Sequence, residues 1–469
     1  MILSETKSIC PTCLKVVDAQ IADINGKIIL QKNCPQHGQF KDEYWGDTNH
    51  YKRIIQYSKK GTPPANPKTK RDKGCPTDCG LCNEHETQTV LGVVDVTDRC
   101  NLRCPICFAK AGEHEKKDPT KEEIEKALDA LRNTKPTPTL AIQYSGGEPS
   151  TRDDLPQLVK LAKTKGFQQV IVSTNGLRIA NEPGYAKKLW NAGMNVLYLQ
   201  FDGLEDGIYV KLRGKPLLKE KIREIENCRR EGFRHIVLVV TFAKGVNDHA
   251  VGSIIRFAME NKDVVRGIVV QPVSYTGRAK MGERITTYDF ISLTEKQTNG
   301  KIKKEDFLPL NLMGVVYSFM SHVNKKPKPD MTFHPCCGMG TYLLSTPNGY
   351  EPINRVLPAQ ELLKTLEDYI EASEKKDSKR RAVLSLTLLK QIALIKHPLL
   401  KKQLVEALLK RSYKPLKKVF LKEAVFVGCM HFMDPYNFDL SRVRKCGVHY
   451  ATSDGRLIPF CSYNVFHRK

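Results

Sequence analysis

The chain has 469 residues, 41% of them hydrophobic, and a formal net charge of +24 at pH 7. This length and composition predict a globular protein of two or three domains, each large enough to bury a hydrophobic core. They exclude a small protein that would need disulfides or metal ions in place of a core. The charge indicates a polyanionic partner, but charge alone does not distinguish nucleic acid from an anionic membrane surface.

No segment has the character of a secretion signal or a membrane span. The chain opens with MILSETKSIC, in which no basic stretch precedes an apolar one, and the best apolar run, HIVLVVTFA from His235, fits a buried strand. The sequence therefore predicts a cytoplasmic protein. In that compartment the fifteen cysteines are expected to bind metal ions or clusters, because disulfides are rare there.

Residues 1–58 form the first predicted unit, a small metal-binding domain. The motifs CPTC and CPQHG flank a strand-like KIILQK and place Cys10, Cys13, Cys34 and His37 in a C-x2-C…C-x2-H set. This spacing suits one tetrahedral ion, either zinc or a rubredoxin-like iron. We expect the ion to be structural, because so small a unit has little core of its own.

Residues 59–88 are predicted to be a linker that ends in a cysteine motif. The lysine- and proline-rich stretch KKGTPPANPKTKRDKG precedes CPTDCGLC, in which Cys75, Cys79 and Cys82 are spaced C-x3-C-x2-C. We interpret this motif as part of an auxiliary iron–sulfur cluster. A structural zinc site is the alternative.

Residues 89–300 show a regular alternation of strands and helices. One helical segment begins with Thr120 three residues before Glu123, which is the signature of a capping box. The alternation predicts a parallel sheet with crossover helices, in which the loops after the strands carry the chemistry. The six predicted strands are TVLGVVDV, TLAIQYS, QVIVST, NVLYLQF, HIVLVVTF and RGIVVQPV.

The loop after the first of these strands contains Cys100, Cys104 and Cys107, again spaced C-x3-C-x2-C. A structural zinc ion prefers four protein ligands, so three thiols leave one coordination position for another molecule. Three further motifs follow at strand ends, in the order GGEP at Gly146–Pro149, STNG at Ser173–Gly176 and QFDG at Gln200–Gly203.

This ordered set of motifs resembles the radical S-adenosylmethionine (SAM) superfamily. The resemblance implies an α/β fold with a partial (β/α)6 barrel, and a [4Fe–4S] cluster held by Cys100, Cys104 and Cys107. The fourth iron would bind SAM, and one electron would split it into a 5′-deoxyadenosyl radical. The SAM contacts that the resemblance implies are Phe108, Gly146, Gly147, Glu148, Ser173, Asn175, Asp202, Val270 and Gln271.

Residues 301–469 are predicted to form an α-rich, cluster-binding C-terminal domain. The stretch from Lys379 to Lys422 contains thirteen Lys or Arg residues against one acid, with Leu400, Leu404 and Leu408 on one helical stripe. We expect this stretch to lie on an anionic lipid surface. A solvated helical hairpin is the alternative.

The remaining cysteines suffice for two auxiliary clusters of four thiolates. Cys228 falls in a predicted helix and is expected to be a buried hydrophobic residue. Cys429, Cys446 and Cys461 form the second auxiliary set. Cys336 or Cys337 is expected to complete each trio, since adjacent residues cannot easily point into one cluster. His431 and His449, flanked by aromatic residues, are predicted to be packed core residues.

Three features together resemble the archaeal tetraether lipid synthases: the CPxHG unit, CPTDCGLC ahead of CNLRCPICFA, and the terminal block HFMDPYNFDLSRVRKCGVHYATSDGRLIPFC. That resemblance implies a radical SAM enzyme that joins the ends of two phytanyl chains of archaeal diether phospholipids, with a carbon radical held on an auxiliary cluster. Together with the cysteine sets and the basic stretch, this leads us to expect three [4Fe–4S] clusters, one mononuclear iron or zinc, an unidentified electron donor, and peripheral association with the inner face of the cell membrane.

Two other functions remain open from the sequence. Enzymes of similar pattern methylate a methanopterin-type pterin cofactor, and nothing in the sequence excludes a pterin pocket. RNA modification would also use the positive charge. The sequence contains no RNA-binding module with interleaved aromatic residues, so we expect no nucleic-acid partner.

Overall fold

The computed structural model describes residues 1–113, 117–324, 329–410, 412 and 414–468. An antiparallel sheet of four strands in sequence order begins the chain. Asn25 and Gly26, both with positive φ, form the tight turn between the second and third strands, as Asn-Gly pairs commonly do. The strands are β1 (Ile2–Ile9), β2 (Val16–Ile24), β3 (Lys27–Cys34) and β4 (Gly38–Trp45), and helix α1 (Thr48–Ile55) follows.

Six parallel strands, hydrogen-bonded in sequence order, form the centre of the molecule. These strands are β5 (Leu91–Thr97), β6 (Ala141–Gly146), β7 (Gln169–Thr174), β8 (Val196–Gln200), β9 (Ile236–Phe242) and β10 (Val265–Pro272). The accompanying helices are α2 (Lys121–Arg132), α3 (Leu155–Thr164), α4 (Leu177–Asn181), α5 (Tyr185–Ala192), α6 (Asp206–Arg213), α7 (Leu218–Arg230), α8 (Val251–Glu260) and α9 (Thr287–Gln297). The predicted α/β fold with a partial barrel is confirmed.

Helix α2 shows how local sequence builds this layer. The Thr120 side chain accepts a hydrogen bond from the backbone N–H of Glu123, and the Glu123 side chain accepts one from the N–H of Thr120, so the predicted capping box is confirmed. One apolar face at helical spacing is buried next to β5. Its residues are Ile124, Ala127, Leu128 and Leu131.

Strands from the C-terminal third extend both edges of the same sheet. Strand β14 pairs in parallel with β10, and β15 pairs in parallel with β5. The added strands are β11 (Leu308–Pro309), β12 (Gly338–Thr346), β13 (Gly349–Pro352), β14 (Ala424–Met430), β15 (Val448–Ala451) and β16 (Leu457–Pro459). The boundaries at residues 58, 88 and 300 stay a prediction.

The C-terminal helices include the basic stretch. The helices are α10 (Met313–Asn324), α11 (Ile353–Val356), α12 (Ala359–Glu374), α13 (Ser378–Ala393), α14 (Pro398–Leu409), α15 (Lys414–Lys422), α16 (Leu440–Arg444) and α17 (Phe460–Ser462). Leu400, Leu404 and Leu408, expected at a lipid surface, instead pack into an apolar cluster against β12 and β14. Arg411, which belongs to the basic stretch, lies outside the described residues. Within the described part of the chain, every helix is too short or too polar to cross a bilayer.

Candidate functional site

The N-terminal sheet assembles a compact group of metal-binding side chains. The ligand atoms of Cys10, Cys13, Cys34 and His37 all lie within 4.8 Å of one another. His37 Nδ1 lies 3.6 Å from Cys10 Sγ and 3.5 Å from Cys34 Sγ, and the Cys13 and Cys34 sulfurs are 3.9 Å apart. These separations fit the edges of a tetrahedron around one ion with metal–sulfur bonds of about 2.3 Å.

At the carboxyl end of β5, the loop with Cys100, Cys104 and Cys107 packs against apolar side chains. The backbone N–H of Leu102 donates to Cys100 Sγ at 3.4 Å, and that of Cys107 donates to the Cys104 carbonyl at 3.2 Å. Burial raises the pKa of Cys100 to about 12, so this thiol stays neutral unless a cation draws off its proton. Bound iron does this to thiols, so the loop suits a cluster.

The GGEP loop after β6 is fixed directly to the cysteine loop. The N–H of Gly147 donates to Thr97 O and that of Glu148 to Arg99 O, both at 2.8 Å. A Cβ at Gly146 would overlap the Thr97 carbonyl, and one at Gly147 would overlap the Arg99 carbonyl. Only glycine allows the two backbones to approach so closely.

Glu148 connects the ends of β6 and β7. Its buried carboxylate accepts hydrogen bonds from the Ser150 N–H at 3.0 Å, Thr174 Oγ1 at 2.5 Å and the Asn175 N–H at 2.6 Å. Both carboxylate oxygens are therefore used to hold the loops together. The predicted contact between Glu148 and SAM is not tested by this geometry.

Asn175 reaches from the end of β7 to the cysteine loop. Its Nδ2 donates to Asn101 Oδ1 at 2.6 Å, and its own Oδ1 accepts from the Leu177 N–H at 3.1 Å. Ser173 lies just before it on β7, opposite Tyr198 of β8. Asn101 was not singled out from the sequence, although its position next to Cys100 in a strand-end loop was a usable signal.

Asp202, which follows β8, accepts hydrogen bonds from Arg213, a residue that was not singled out from the sequence. Arg213 donates to Asp202 through Nε at 2.7 Å and Nη2 at 2.8 Å, and Nη2 also reaches Thr241 Oγ1 at 2.6 Å. Burial raises the pKa of Cys104, and Arg213 opposes that effect.

The last predicted SAM contacts lie at the same end of the sheet. Gln271 of β10 pairs with Thr241 of β9, and Val270 pairs with Cys429 of β14. Phe108 directly follows the cysteine loop, and its ring centre lies 5.9 Å from that of Phe460. The carboxyl ends of the strands therefore collect the motif residues on one end of the barrel, as expected for parallel sheets.

Comparison with known proteins agrees with this architecture. The family described as Radical SAM superfamily matches residues 94–258, and the family described as HMPTM N-terminal zinc ribbon domain matches residues 2–46. The 7,8-dihydro-6-hydroxymethylpterin dimethyltransferase of Methanocaldococcus jannaschii is 45% identical over 99% of this chain and 94% of its own. This chain belongs to that dimethyltransferase family, within the radical SAM superfamily.

More distant relatives match smaller parts of this radical SAM chain. The Fe-coproporphyrin III synthase of Methanosarcina barkeri is 37% identical over 30% of this chain and 34% of its own. The GTP 3′,8-cyclase of Rhodopirellula baltica is 29% identical over 38% and 50%. The crystal structure of Streptococcus suis SuiB bound to precursor peptide SuiA covers 46% of each chain with a TM-score of 0.40 and 18% identity.

The family assignment corrects the substrate prediction. The superfamily prediction is confirmed, and superfamily membership implies SAM and a [4Fe–4S] cluster, with a further metal ion in the zinc ribbon. The predicted coupling of phytanyl chains is wrong on this comparison, because the relative that matches end to end is named for a pterin. The predicted diether lipid substrate and membrane-surface partner are wrong for the same reason. The motifs that generate the radical are shared by enzymes that act on different substrates, so they do not identify the substrate.

Six of the nine remaining cysteines of this radical SAM protein fall into two groups. Cys75, Cys79 and Cys82 line a solvent-open concavity together with His85. Cys337 lies close enough to Cys446 and Cys461 to raise the pKa of both of these thiols, with burial as the larger cause. The Met433 N–H donates to Cys461 Sγ at 3.2 Å.

Cys429 does not join this second group. Its thiol donates to Thr287 Oγ1 at 3.5 Å in the core beside α9, so Cys337 is the cysteine that the fold brings to Cys446 and Cys461. Cys336 is buried beside Cys337 and Arg442. Cys228 is buried in α7, and His431 and His449 are buried too, as predicted.

An aromatic cluster lies beside the cysteine loop, formed by the packed rings of Phe108, Tyr450, Phe460 and Tyr463. Arg468 lies over three of these rings, 5.0 to 5.9 Å from their centres, and its Nη2 lies 2.7 Å from Asp95 Oδ2. Asp95 Oδ1 is buried and has no hydrogen-bond partner among the described residues. Burial raises the pKa of Asp95, and Arg468 opposes that effect. Neither Asp95 nor Arg468 was singled out from the sequence.

Proposed function

We propose that this protein is a radical SAM methylase of a pterin related to 7,8-dihydro-6-hydroxymethylpterin. The observation that carries the proposal is the 45% identity to the pterin dimethyltransferase over 99% of this chain. Similarity confined to the barrel would indicate only shared radical chemistry. Similarity over 99% of the chain also extends far beyond the barrel, into the segments that carry the other cysteine motifs.

Cys100, Cys104 and Cys107 would hold the catalytic [4Fe–4S] cluster, which with SAM supplies a 5′-deoxyadenosyl radical able to remove hydrogen from a carbon. Hydrogen bonds of the Glu148, Asn175 and Asn101 side chains hold the strand-end loops in fixed positions relative to one another. Arg213 places a fixed positive charge beside Cys104. The predicted SAM contacts at Gly146, Gly147, Ser173, Val270 and Gln271 are part of this proposal.

The other cysteine groups complete the proposed cofactor set. One group contains Cys75, Cys79 and Cys82, and the other contains Cys337, Cys446 and Cys461. Each would hold an auxiliary [4Fe–4S] cluster, which brings the total to three. The N-terminal group would hold one mononuclear zinc or iron ion. The close spacing of the four ligand atoms in this N-terminal group is that of a single-ion site.

The aromatic cluster beside the cysteine loop supports a pterin substrate. A pterin is a flat ring system whose pyrimidine edge presents N–H groups, so stacking rings and a carboxylate acceptor suit it. Asp95 Oδ1 is such an acceptor, because it is buried without a hydrogen-bond partner among the described residues. Tyr450 and Tyr463, whose ring centres lie 4.1 Å apart, provide flat apolar surface next to it.

The test is anaerobic incubation of the reconstituted protein with SAM, dithionite and 7,8-dihydro-6-hydroxymethylpterin, followed by mass spectrometry. A pterin in which methyl groups replace hydrogen is the expected product, and a Cys104→Ala variant should form none. SAM labelled in its methyl group tells whether SAM is the methyl donor. Formation of 5′-deoxyadenosine with an unchanged pterin, or turnover of a diether lipid in a parallel incubation, would overturn the proposal.

A further inference from the structure

The concavity lined by Cys75, Cys79 and Cys82 contains a fourth side chain that ligates metals. His85 is buried at its wall, and its backbone N–H donates to the Cys82 carbonyl at 3.1 Å. Cys336 and Cys337, the cysteines that the sequence offered as a fourth ligand, are not among the described residues that line the concavity. Three thiols and one imidazole therefore face the same space.

The hydrogen bond of His85 fixes which ring nitrogen is available. Nε2 lies 2.8 Å from the backbone carbonyl of Cys446. Because a carbonyl oxygen only accepts hydrogen bonds, Nε2 carries the proton and Nδ1 keeps its lone pair. Metal-binding histidines typically donate their second ring N–H to a carbonyl or carboxylate in this way, which orients the ring.

The carboxylates around the concavity are already engaged. Asp78 Oδ2 accepts hydrogen bonds from the backbone N–H groups of Asp72 and Gly74, both at 2.8 Å. Glu84 is paired with Arg71 and, at 3.3 Å, with Arg444. Imidazole is therefore the nitrogen or oxygen donor best placed to join the three thiols.

The spacing of these donors distinguishes a cluster from a single ion. Among the described residues, only the N-terminal group brings three or more such donors within 4.8 Å of one another. The donors around the concavity are spread more widely, as are those of Cys100, Cys104 and Cys107. One tetrahedral zinc ion with bonds of about 2.3 Å would require closer donors.

We propose that Cys75, Cys79, Cys82 and His85 hold an iron–sulfur cluster in which His85 Nδ1 is the fourth ligand. Mixed thiolate and imidazole ligation is known chemistry for iron–sulfur centres. Cys429 lies in the core beside α9, where its thiol contacts Thr287, and it takes no part in this site. The site does not depend on the identity of the substrate.

The test uses the full-length protein with its histidines labelled with ¹⁵N. Its clusters are reconstituted anaerobically, and the protein is then reduced without SAM. Pulsed electron paramagnetic resonance should show histidine nitrogen coupled to a reduced cluster. His85→Ala should abolish the coupling and lower the iron content by about four atoms per chain, the content of one cluster. His85→Cys should restore the iron without the nitrogen coupling, which covers the case in which the alanine variant folds poorly.

His449 is the matched control, because its ring lies edge-on to that of His85 with centres 4.9 Å apart. His449→Ala should retain the nitrogen coupling and the iron. Three results would overturn the proposal: coupling that survives in His85→Ala, coupling lost only in His449→Ala, or a wild-type protein with no coupling and zinc bound at this site. His37 belongs to the separate N-terminal group of metal ligands, so its nitrogen does not couple to the reduced cluster whose signal is measured.

Discussion

Arg284 and Asp434 form a buried bidentate ion pair, with Nη1 to Oδ2 at 2.7 Å and Nη2 to Oδ1 at 3.0 Å. The same guanidinium lies 2.6 Å from Asp42 Oδ2 on β4. Arg284, in the segment after β10, therefore connects Asp42 of the N-terminal sheet with Asp434 of the C-terminal segment. Burial raises the pKa of Asp42 and Arg284 lowers it, so the charged carboxylate depends on the arginine.

Replacing Arg284 with methionine should lower the free energy of unfolding by about 3–5 kcal/mol, because two buried carboxylates lose their partner. Urea unfolding followed by circular dichroism measures the change. The control is Arg229→Met, which removes an ion pair to Asp263 at the surface and should cost less than about 1 kcal/mol. Equal losses in the two variants would contradict the role of the buried network.

The two glycines of the GGEP loop set the position of the cysteine loop. A Cβ at Gly147 would overlap the carbonyl oxygens of Asp98 and Arg99, so Gly147→Ala must displace the backbone next to Cys100. We expect the iron bound by the barrel site to fall at least severalfold. Iron analysis and the visible absorbance of the anaerobic protein measure it.

Gly207 provides the matched control for Gly147. It lies in α6, and a Cβ there would meet nothing within 4 Å. Gly207→Ala should keep the iron content and stabilise the helix by up to about 1 kcal/mol. Full iron content in Gly147→Ala would show that the loop tolerates the displacement.

How much of the fold and of the candidate site could be predicted depends on how far apart along the chain the interacting residues are. The strands of the barrel and the capping box of α2 follow from local periodicity and spacing, and both are confirmed. Spacing also placed the motif loops at the carboxyl ends of the strands. The partners Arg213 and Arg468 could not be predicted, because their contacts with Asp202 and Asp95 depend on the path of the chain in three dimensions.

Cys429 shows the same limit for metal ligands. Counting the remaining cysteines placed it in one cluster with Cys446 and Cys461, but its thiol contacts Thr287 in the core. Spacing alone did not reveal which face of β14 the thiol would occupy, because successive side chains of a strand point to opposite faces. The stripe of Leu400, Leu404 and Leu408 was likewise visible as a pattern, while its burial against the sheet was decided by tertiary packing.

His50 should make stability depend on pH. Burial lowers its pKa from 6.5 to about 4, and Trp45 Nε1 donates to its Nδ1 at 3.1 Å. The folded state therefore keeps the ring neutral, whereas the unfolded chain takes up a proton below pH 6.5. Stability is fully present above that pH and is lost as the pH falls towards 4, by about 3 kcal/mol for this group.

The measurement for His50 is urea unfolding at several pH values for the wild type and His50→Gln. Glutamine can accept the hydrogen bond of Trp45 but does not titrate. The difference in unfolding free energy between the two proteins should therefore change by about 3 kcal/mol between pH 6.5 and 4. A constant difference across this interval would show that His50 is not held neutral.

Asp95 should control pterin binding. If its Oδ1 accepts hydrogen bonds from the pyrimidine edge, Asp95→Asn replaces a charged acceptor with a neutral amide, and the dissociation constant of the pterin should rise about 10-fold to 100-fold. Quenching of pterin fluorescence on titration with anaerobic protein measures this constant. Asp153→Asn is the control, since its carboxyl is almost fully exposed and pairs with Arg178 on another surface. Unchanged pterin affinity in Asp95→Asn, with methylation intact, would place the substrate elsewhere in the barrel, whereas loss of binding in both variants would point to a general defect.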